Sequence, residues 1–293
     1  MDPSVLMSER RQLINLAYRM LGSLAEAEDV VQETYARWYG LSAAQQDEIQ
    51  NPAAWLTRVA GRICLDVLGS ARVRRERYVG EWLPEPLPEQ ADWAASADPA
   101  DRVTLDESVN LAFLVVLESM TPAERVAFIL HDVFRYPFPE VADIVGRTPA
   151  ACRQLASSAR RRVRDARTPE APPTSPDRRA DLVRDFQAAW AAKDIGALIG
   201  LLDPAAVAVA DGGGIVTAKL EPIEGAEQIA RGLLEITTQL PGLTVVARTV
   251  NGQPGLVVQE NGVTTTVMAF EFAGDRISRL YAVRNPDKLR PWA

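Results

Sequence analysis

TPAERVAFILHDVFRYPFPEVADIVGRTPAACRQLASSARRRVR, from Thr121 to Arg164, is the stretch on which the reading turns. Thr121-Pro122-Ala123-Glu124 has the form of a capping box with proline at the first helical position. Behind it Val126, Ile129, Leu130 and Val133 recur at helical spacing and give one apolar stripe. Residues 139–145 predict a short second helix, and Gly146 supplies a residue free to take positive φ at its end. Thr148-Pro149 then opens a third helix, with threonine as N-cap and proline at N1.

In that third helix Cys152, Leu155, Ala159 and Val163 fall three or four residues apart and are expected to face inward. Arg153, Gln154, Ser157, Ser158 and Arg161 fall on the outer side, joined by Arg147 before the helix and by Arg160, Arg162 and Arg164 near its end. Helix, glycine turn and polar basic helix make a helix-turn-helix, whose second helix enters the major groove. Arginine and glutamine make bidentate contacts to base edges there, and the arginine-rich end neutralises phosphates. A helical hairpin with a solvated basic face is the plain alternative; the agreement of caps, turn and face favours DNA binding.

With 293 residues, 47% of them hydrophobic, the chain is long enough for about two domains with real cores. It has no apolar run of membrane-spanning length, and residues 1–9 are too polar for a signal peptide. Cys64 and Cys152 have neither metal-ligand spacing nor a disulfide framework, which fits a reducing cytoplasm. His131 is the sole histidine and lies inside an apolar-periodic helix, which excludes histidine-based catalysis and a multi-histidine metal site. Neither a cofactor nor a metal is expected. The net charge of −7 is unusual for a free-standing DNA-binding protein. Its distribution matters more. Basic residues gather at 72–77 and 147–167, acidic ones at 26–33, at 81–107 and through the C-terminal half. That separation suits local DNA contacts, an acidic surface for another partner and weak unaided DNA affinity.

Near the start, Leu13, Leu16, Ala17, Met20 and Leu21 form a helical stripe, broken at Gly22-Ser23. A second helix runs from about Ala25 to Tyr39. Its apolar residues Val30, Val31, Thr34, Tyr35 and Trp38 alternate with Glu26, Glu28, Asp29, Gln32, Glu33 and Arg37. The acidic side is either a solvated face or a docking surface for a basic partner. Asn51-Pro52 opens a third helix with Trp55, Leu56, Val59 and Ile63 inward and Arg58, Arg62 and Asp66 elsewhere. It leads into Arg72-Val73-Arg74-Arg75-Glu76-Arg77-Tyr78. Cations for phosphate and rings for exposed bases suit a nucleic-acid strand, although Trp55 taken alone reads as core.

YRMLGSLAEAEDVVQETYARW (Tyr18 to Trp38) resembles region two of extracytoplasmic-function sigma factors. NPAAWLTRVAGRICLDVLGSARVRRER continues that region, and the helix-turn-helix resembles region four. Order and spacing match across roughly the first 165 residues, with no separate region three. The resemblance implies that Asp29, Gln32 and Glu33 dock on the clamp helices of core RNA polymerase. It also implies that Asn51 to Arg77, with Arg58, Arg62, Arg72, Arg74, Arg75 and Arg77, reads and melts the −10 element. The helix from Thr148 then reads the −35 element.

Between the two regions lies YVGEWLPEPLPEQADWAASADPA, where Pro84, Pro86 and Pro88 favour an extended path. Trp82 and Leu83 beside them are apolar anchors that need a surface, unless the tryptophan packs locally. WLPEP resembles a linker signature of the subgroup with a C-terminal SnoaL-like extension, the sigma J type. A second proline-rich boundary, TPEAPPTSPD, spans 168–177. After it come amphipathic helices marked by Leu182, Phe186, Ala189 and Trp190, then residues 195–202, and later residues 225–240. Strand-like runs follow at 243–250, 255–259, 263–272 and 277–283, with Asn261-Gly262 and Gly274-Asp275 as hairpin turns. The pattern predicts an α+β fold, an antiparallel sheet wrapped on helices. It resembles the SnoaL-like, NTF2-like cone.

Asp211-Gly212-Gly213-Gly214 and Asn285-Pro286-Asp287-Lys288-Leu289 match extension motifs of the same subgroup. The glycines are not a phosphate loop, since the lysine and Ser/Thr of one are missing. By spacing alone the second motif reads equally as a turn that closes the fold; the resemblance assigns both motifs, with Trp82, Leu83 and Pro84, to regulatory contacts. Asp211, Glu260 and Glu271 are the acids an enzyme might draw on, but each has an ordinary turn or sheet explanation, and no catalytic residue is assigned.

The expected organisation is two all-α domains and an α+β cone: residues 1–78 for polymerase and −10 binding, 79–100 as linker, 101–167 as helix-turn-helix, 168–177 as linker and 178–293 as regulatory domain. The expected function is an alternative sigma factor, cytoplasmic and not an enzyme. Its partners are core polymerase and promoter DNA, and its C-terminal domain contacts region two and the linker. No membrane partner is expected, and nothing in the sequence supports a small-molecule ligand in the cone. The competing readings are a one-component regulator with a ligand-sensing cone, and a SnoaL-like enzyme fused to a DNA-binding module.

Overall fold

The structure, a computed structural model, describes residues 3–75, 78–89, 109–166 and 174–292, and of residues 3–8 and 71–75 the backbone alone. The described residues fall into two compact bodies. One draws on 1–76, 92–109 and 113–167, the other on 77–91, 110–112 and 168–293.

The first body is helical. Helices α1 (Pro3–Leu21), α2 (Leu24–Tyr39), α3 (Ala43–Glu48) and α4 (Pro52–Arg75) come first. Gly22 takes φ 71° where the first stripe stops, and Ser23 caps α2 by accepting from the Glu26 amide. Asn51 caps α4 through the Ala54 amide (3.0 Å). Leu13, Leu16, Ala17, Met20 and Leu21 of α1 are buried with Val30 and Val31 of α2 and Leu56, Ala60, Ile63 and Cys64 of α4. Each of the leucine, isoleucine, valine and methionine chains contributes about 1.5–3 kcal/mol on burial. Trp55 lies edge-on to Trp38 at 5.3 Å, a packing role.

The same body continues with α5 (Leu111–Glu118, from Phe113 onward), α6 (Pro122–Phe128), α7 (Phe138–Val145) and α8 (Pro149–Ala166). The Thr121–Glu124 capping box forms, Gly146 ends α7 at φ 71°, and Thr148 caps α8 through the Ala151 amide. One difference from the sequence pattern is a π turn at Ile129–Val133 in place of plain α-helix. The wider turn lets Phe134 and Tyr136 donate back to Ile129 and Leu130 while Ile129, Leu130 and Val133 stay buried.

The second body is α+β. Helices α9 (Pro176–Ala191), α10 (Ile195–Leu201) and α11 (Ala226–Gln239) accompany six strands. These are β1 (Leu202–Asp211), β2 (Ile223–Glu224), β3 (Leu243–Val250), β4 (Gln253–Glu260), β5 (Val263–Ala273) and β6 (Arg276–Val283). The order is β2-β1-β6-β5-β4-β3. Strands β3 to β6 form the expected antiparallel meander, but β1 lies parallel to β6, so the sheet is mixed. The cause is topological: the last strand of the meander returns beside the first strand of the body, running the same way. Asn261-Gly262 turns the chain with both φ angles positive, as a two-residue hairpin needs, and so does Asn251-Gly252, which the sequence pattern missed.

Phe186 and Trp190 of α9 pack with Leu233 of α11 and with Met268, Phe270 and Leu280 of the sheet. The interior of the cone is therefore filled by large side chains. Trp190 donates its Nε1 proton to Thr237 Oγ1 (2.8 Å) and the Leu233 carbonyl (3.1 Å), so its polar atom is satisfied inside that core.

Candidate nucleic-acid interface and linker anchor

On α8, Cys152, Ala156 and Ala159 are buried, and Arg153, Gln154, Ser157 and Arg161 are exposed. Ser158 differs from the outward position its spacing suggested. It is half-buried and donates to Glu124 Oε1 at 2.6 Å. Arg162 lies 3.8 Å from the same carboxylate, and Arg160 donates to Asp132 Oδ1 at 2.6 Å. Burial opposes the charge of Glu124, but the hydrogen bonds from Ser158 and Thr121, with Arg162 nearby, hold its carboxyl below the ordinary value. Arg153 lies over the Phe138 ring (5.5 Å), which stacks on His131 (3.8 Å). His131 Nδ1 is in turn 2.9 Å from the Tyr136 carbonyl, so the lone histidine is a packing residue here. Arg147 is exposed in the turn.

Arg58 and Arg62 lie on the exposed side of α4, beside α7. Arg62 donates to the Asp143 carbonyl at 2.8 Å, and Arg58 sits 3.7 Å from Asp143 Oδ2. The helices meet closely at Gly61, where a Cβ would stand 2.8 Å from Ile144 Cγ2. Thr57 and Tyr136 share a hydrogen bond of 3.1 Å, and Arg19 lies 5.8 Å from the Phe134 ring centroid. Arg72, Arg74 and Arg75 fall in the last turns of α4, known by backbone alone, and Arg77 lies outside the described residues. Asp29, Gln32 and Glu33 are all exposed on one side of α2, opposite buried Ala27, Val30, Val31, Thr34 and Trp38. Glu33 also pairs with Arg37 at 2.9 Å.

In the second body the linker, the glycine turn after β1 and the Asn285–Leu289 motif converge on Asp211. Its carboxylate is fully buried at the end of β1. Oδ1 accepts from Tyr78 Oη (2.6 Å) and the Gly213 amide (3.0 Å). Oδ2 accepts from the Leu83 amide (2.9 Å) and Lys288 Nζ (2.6 Å). The Asp211 carbonyl accepts from the amides of Arg284 and Asn285. Lys288 also donates to the Leu83 carbonyl (2.5 Å) and lies 4.2 Å from the Trp82 ring and 5.2 Å from that of Tyr78. Asn285 donates to Tyr78 Oη at 2.8 Å. Burial, with Asp211 as acceptor, pushes the Tyr78 hydroxyl above its ordinary value and keeps it a donor. At Gly213, φ is 64° and a Cβ would fall 2.4 Å from Asn285 Nδ2, so a side chain is doubly excluded. Leu83, Pro84 and Leu289 are buried, and Pro286 and Asp287 are exposed on a single turn of 3₁₀ helix.

The linker is fastened again further on. Leu87 and Asn251 exchange hydrogen bonds (2.9 and 2.8 Å), Pro88 bridges to Val250, and Trp292 Nε1 donates to the Pro86 carbonyl (2.8 Å). Sequence reasoning reached Trp82, Leu83, Asp211 and Lys288. It missed Tyr78 as an anchor, having grouped its ring with the arginines, and it missed Asn251. The Tyr78 hydroxyl beside the proline segment was a signal for the first; Asn251 lies 164 positions from Leu87 and left none in the linker sequence.

Residues 5–77 match the Sigma-70 region 2 family and residues 110–163 the Sigma-70 region 4 family. Over 99% of its length the chain is 36% identical to the ECF RNA polymerase sigma factor SigJ of Mycobacterium tuberculosis, covering 93% of that protein. The chain belongs to the ECF RNA polymerase sigma factors. It is also 30% identical to SigG of the same species, across 93% of this chain and 78% of that one. The crystal structure of M. tuberculosis SigJ superposes with a TM-score of 0.77 at 32% identity, covering 99% of both chains.

The two bodies of this sigma factor thus have distinct contents. Regions 2 and 4 share the helical body, and the linker segment 78–89 belongs with the cone. Two of the three acids weighed for catalysis, Asp211 and Glu271, have hydrogen-bond partners. Asp211 is saturated by donors, and Glu271 accepts from Tyr281 on the sheet. No helix among the described residues is long and apolar enough to cross a membrane.

Proposed function

We propose that this sigma factor, which carries core RNA polymerase to promoters, is controlled in cis by the cone through the linker. The observation that carries the reading is Asp211, a buried carboxylate holding Tyr78, Leu83 and Lys288 together. In this reading Asp29, Gln32 and Glu33 dock on polymerase. Arg58, Arg62 and the arginines at 72–77 engage the −10 element. Arg147, Arg153, Gln154, Ser157 and Arg161 face the −35 element. The cytoplasm is the compartment in which it works.

The geometry of the helical body supports restraint. The −35 and −10 elements lie roughly 25 base pairs apart, about 85 Å of duplex at 3.4 Å per step. Arg62 touches Asp143 and Gly61 abuts Ile144, so region 2 and region 4 must part before each reaches its element. The connector between them has to move when they do, and its first residues are fastened to the cone. A tethered partner acts at high effective concentration, so modest contacts suffice to bias the equilibrium.

The cone acts here as a binding module, not as a catalyst or a ligand sensor. Its interior is occupied by Phe186, Trp190, Met268 and Phe270. Transcription in a purified system tests the reading. The full chain, Asp211→Asn and a chain ending at Arg284 are compared with core polymerase on a promoter the full chain uses. Freeing the linker is expected to raise transcript yield several-fold. Equal yields from all three would remove control by the cone while leaving the sigma activity intact.

A further inference from the structure

The helical periodicity of α8 and two carboxylates outside it, Glu124 buried and Asp132 half-buried, carry an inference about promoter selectivity. At about 100° per residue, Gln154, Ser157 and Arg161 cluster within about 60° of one another on the side opposite Cys152, Ala156 and Ala159. Ser158 and Arg162 stand on one flank of that cluster, and Arg160 on the other, about 160–200° away around the axis. The two flanks are held by different groups. Glu124 accepts from Ser158 (2.6 Å) and faces Arg162 (3.8 Å), while Asp132 accepts from Arg160 (2.6 Å). Both carboxylates belong to the segment packed behind α8, and Glu124 is fixed in turn by the Thr121 amide and hydroxyl, each at 2.9 Å. Glu124 is only 6% exposed.

We infer that Glu124 and Ser158 are positioning residues for −35 recognition: with Asp132 and Arg160 they fix the roll of α8 so that Gln154, Ser157 and Arg161 meet the base edges. Two tethers on opposite flanks resist rotation in both senses, which a single one does not. A rotation of about 20° moves a side-chain tip by about 2 Å on a helix whose radius with side chains is about 5–6 Å, beyond the tolerance of a bidentate contact. Ser158 therefore acts from the flank of the reading face, through Glu124 and not through a base. Arg160 and Arg162, charged and partly exposed, lie at the edges of the face, where phosphates run. The inference rests on the proposed assignment of α8 to the −35 element.

The test selects from a duplex pool randomised over both promoter elements, using holoenzyme assembled from core polymerase and full-length variants. The readout is the base preference at each position of the enriched −35 element. Ser158→Ala is expected to lower preference several-fold across several adjacent positions, with the melting temperature nearly unchanged. Ser158→Thr, which keeps the hydroxyl, restores it. Glu124→Gln weakens the preference in the same diffuse way, and adding Ser158→Ala to Glu124→Ala adds little. Gln154→Ala, by contrast, loses preference at one or two positions. Two results overturn the inference. One is a Ser158→Ala profile like that of wild type while Gln154→Ala changes its own positions. The other is a Ser158→Ala loss confined to a single base pair, which would make Ser158 a reader. If Gln154→Ala and Arg161→Ala both leave the profile unaltered, the assignment of the reading face fails instead.

Discussion

Asp211 and Asp143 each face a basic side chain, and they do so in opposite ways. Asp211 in the cone is fully buried and accepts hydrogen bonds from Tyr78, Gly213, Leu83 and Lys288. Asp143 in the helical body is 61% exposed, and its partner Arg58 46%. A buried charge needs all its partners, because an unpaired one in a poorly polarisable interior is costly. An exposed pair contributes little and is readily exchanged for water or phosphate. The linker is therefore fixed firmly to the cone, whereas region 4 rests lightly by its charges on the arginines of region 2. A contact that has to open for DNA is built from the second kind. What closes region 2 on region 4 is the fit of α4 to α7 at Gly61 and Ile144, more than the ion pairs beside it.

The contrast is sharpest if one partner is deleted from each side. Asp211→Ala leaves the Lys288 ammonium buried without its carboxylate and is expected to destabilise the second body by about 3–5 kcal/mol. Denaturant unfolding of the full chain, followed by Trp82 and Trp292 fluorescence, measures it; a loss under about 1 kcal/mol would remove the distinction. Next in size is Gly61→Val, which sets a side chain against Ile144 and should cost the closed form about 1–3 kcal/mol. Dyes placed on region 2 and region 4 should then report a longer distance, and an unchanged transfer efficiency would show that the seam at Gly61 is not what closes the body.

A smaller effect is expected from acid. Glu124 has a folded-state pKa below its ordinary value, so its charge stabilises region 4 at neutral pH. That contribution is lost as pH falls below the ordinary carboxylate range and through the lowered value. The melting temperatures of wild type and Glu124→Gln should therefore differ at pH 7 and converge in acid, once pH has fallen through the lowered value; a constant difference would mean that the charge is not the source. The smallest effect belongs to Asp143→Ala, below about 1 kcal/mol on stability. It is nevertheless expected to strengthen binding to DNA carrying the −10 element, because Arg58 loses its carboxylate partner while the Arg62 bond to the backbone carbonyl remains.

Much of this was legible in the sequence where a local rule decides the outcome. The Thr121–Glu124 box, the αL Gly146 and the Asn51 cap each depend on a few adjacent residues, and each forms. The acidic side of α2 followed from periodicity in the same way. Less legible were features that join distant residues. The parallel pairing of β1 with β6 depends on the path of the whole meander, and no turn residue signals it. Ser158 sits where a reading residue would, and only the carboxylate 34 positions earlier turns it inward. Tyr78 follows an arginine run and resembles a stacking ring, yet its hydroxyl is set by Asp211, 133 positions away. Lys288 left a faint mark, as one of three lysines in a chain that otherwise uses arginine. A compact ammonium fits between two rings and a carboxylate where the planar arginine fork would not.

The most direct measurement is the transcript yield of core polymerase charged with wild-type chain or with Asp211→Asn, on the same promoter and at saturating sigma factor. The account predicts several-fold more transcript from the variant, since the linker is freed while every polymerase- and DNA-facing side chain is kept. An unchanged or lower yield from a variant that still binds core polymerase would contradict it.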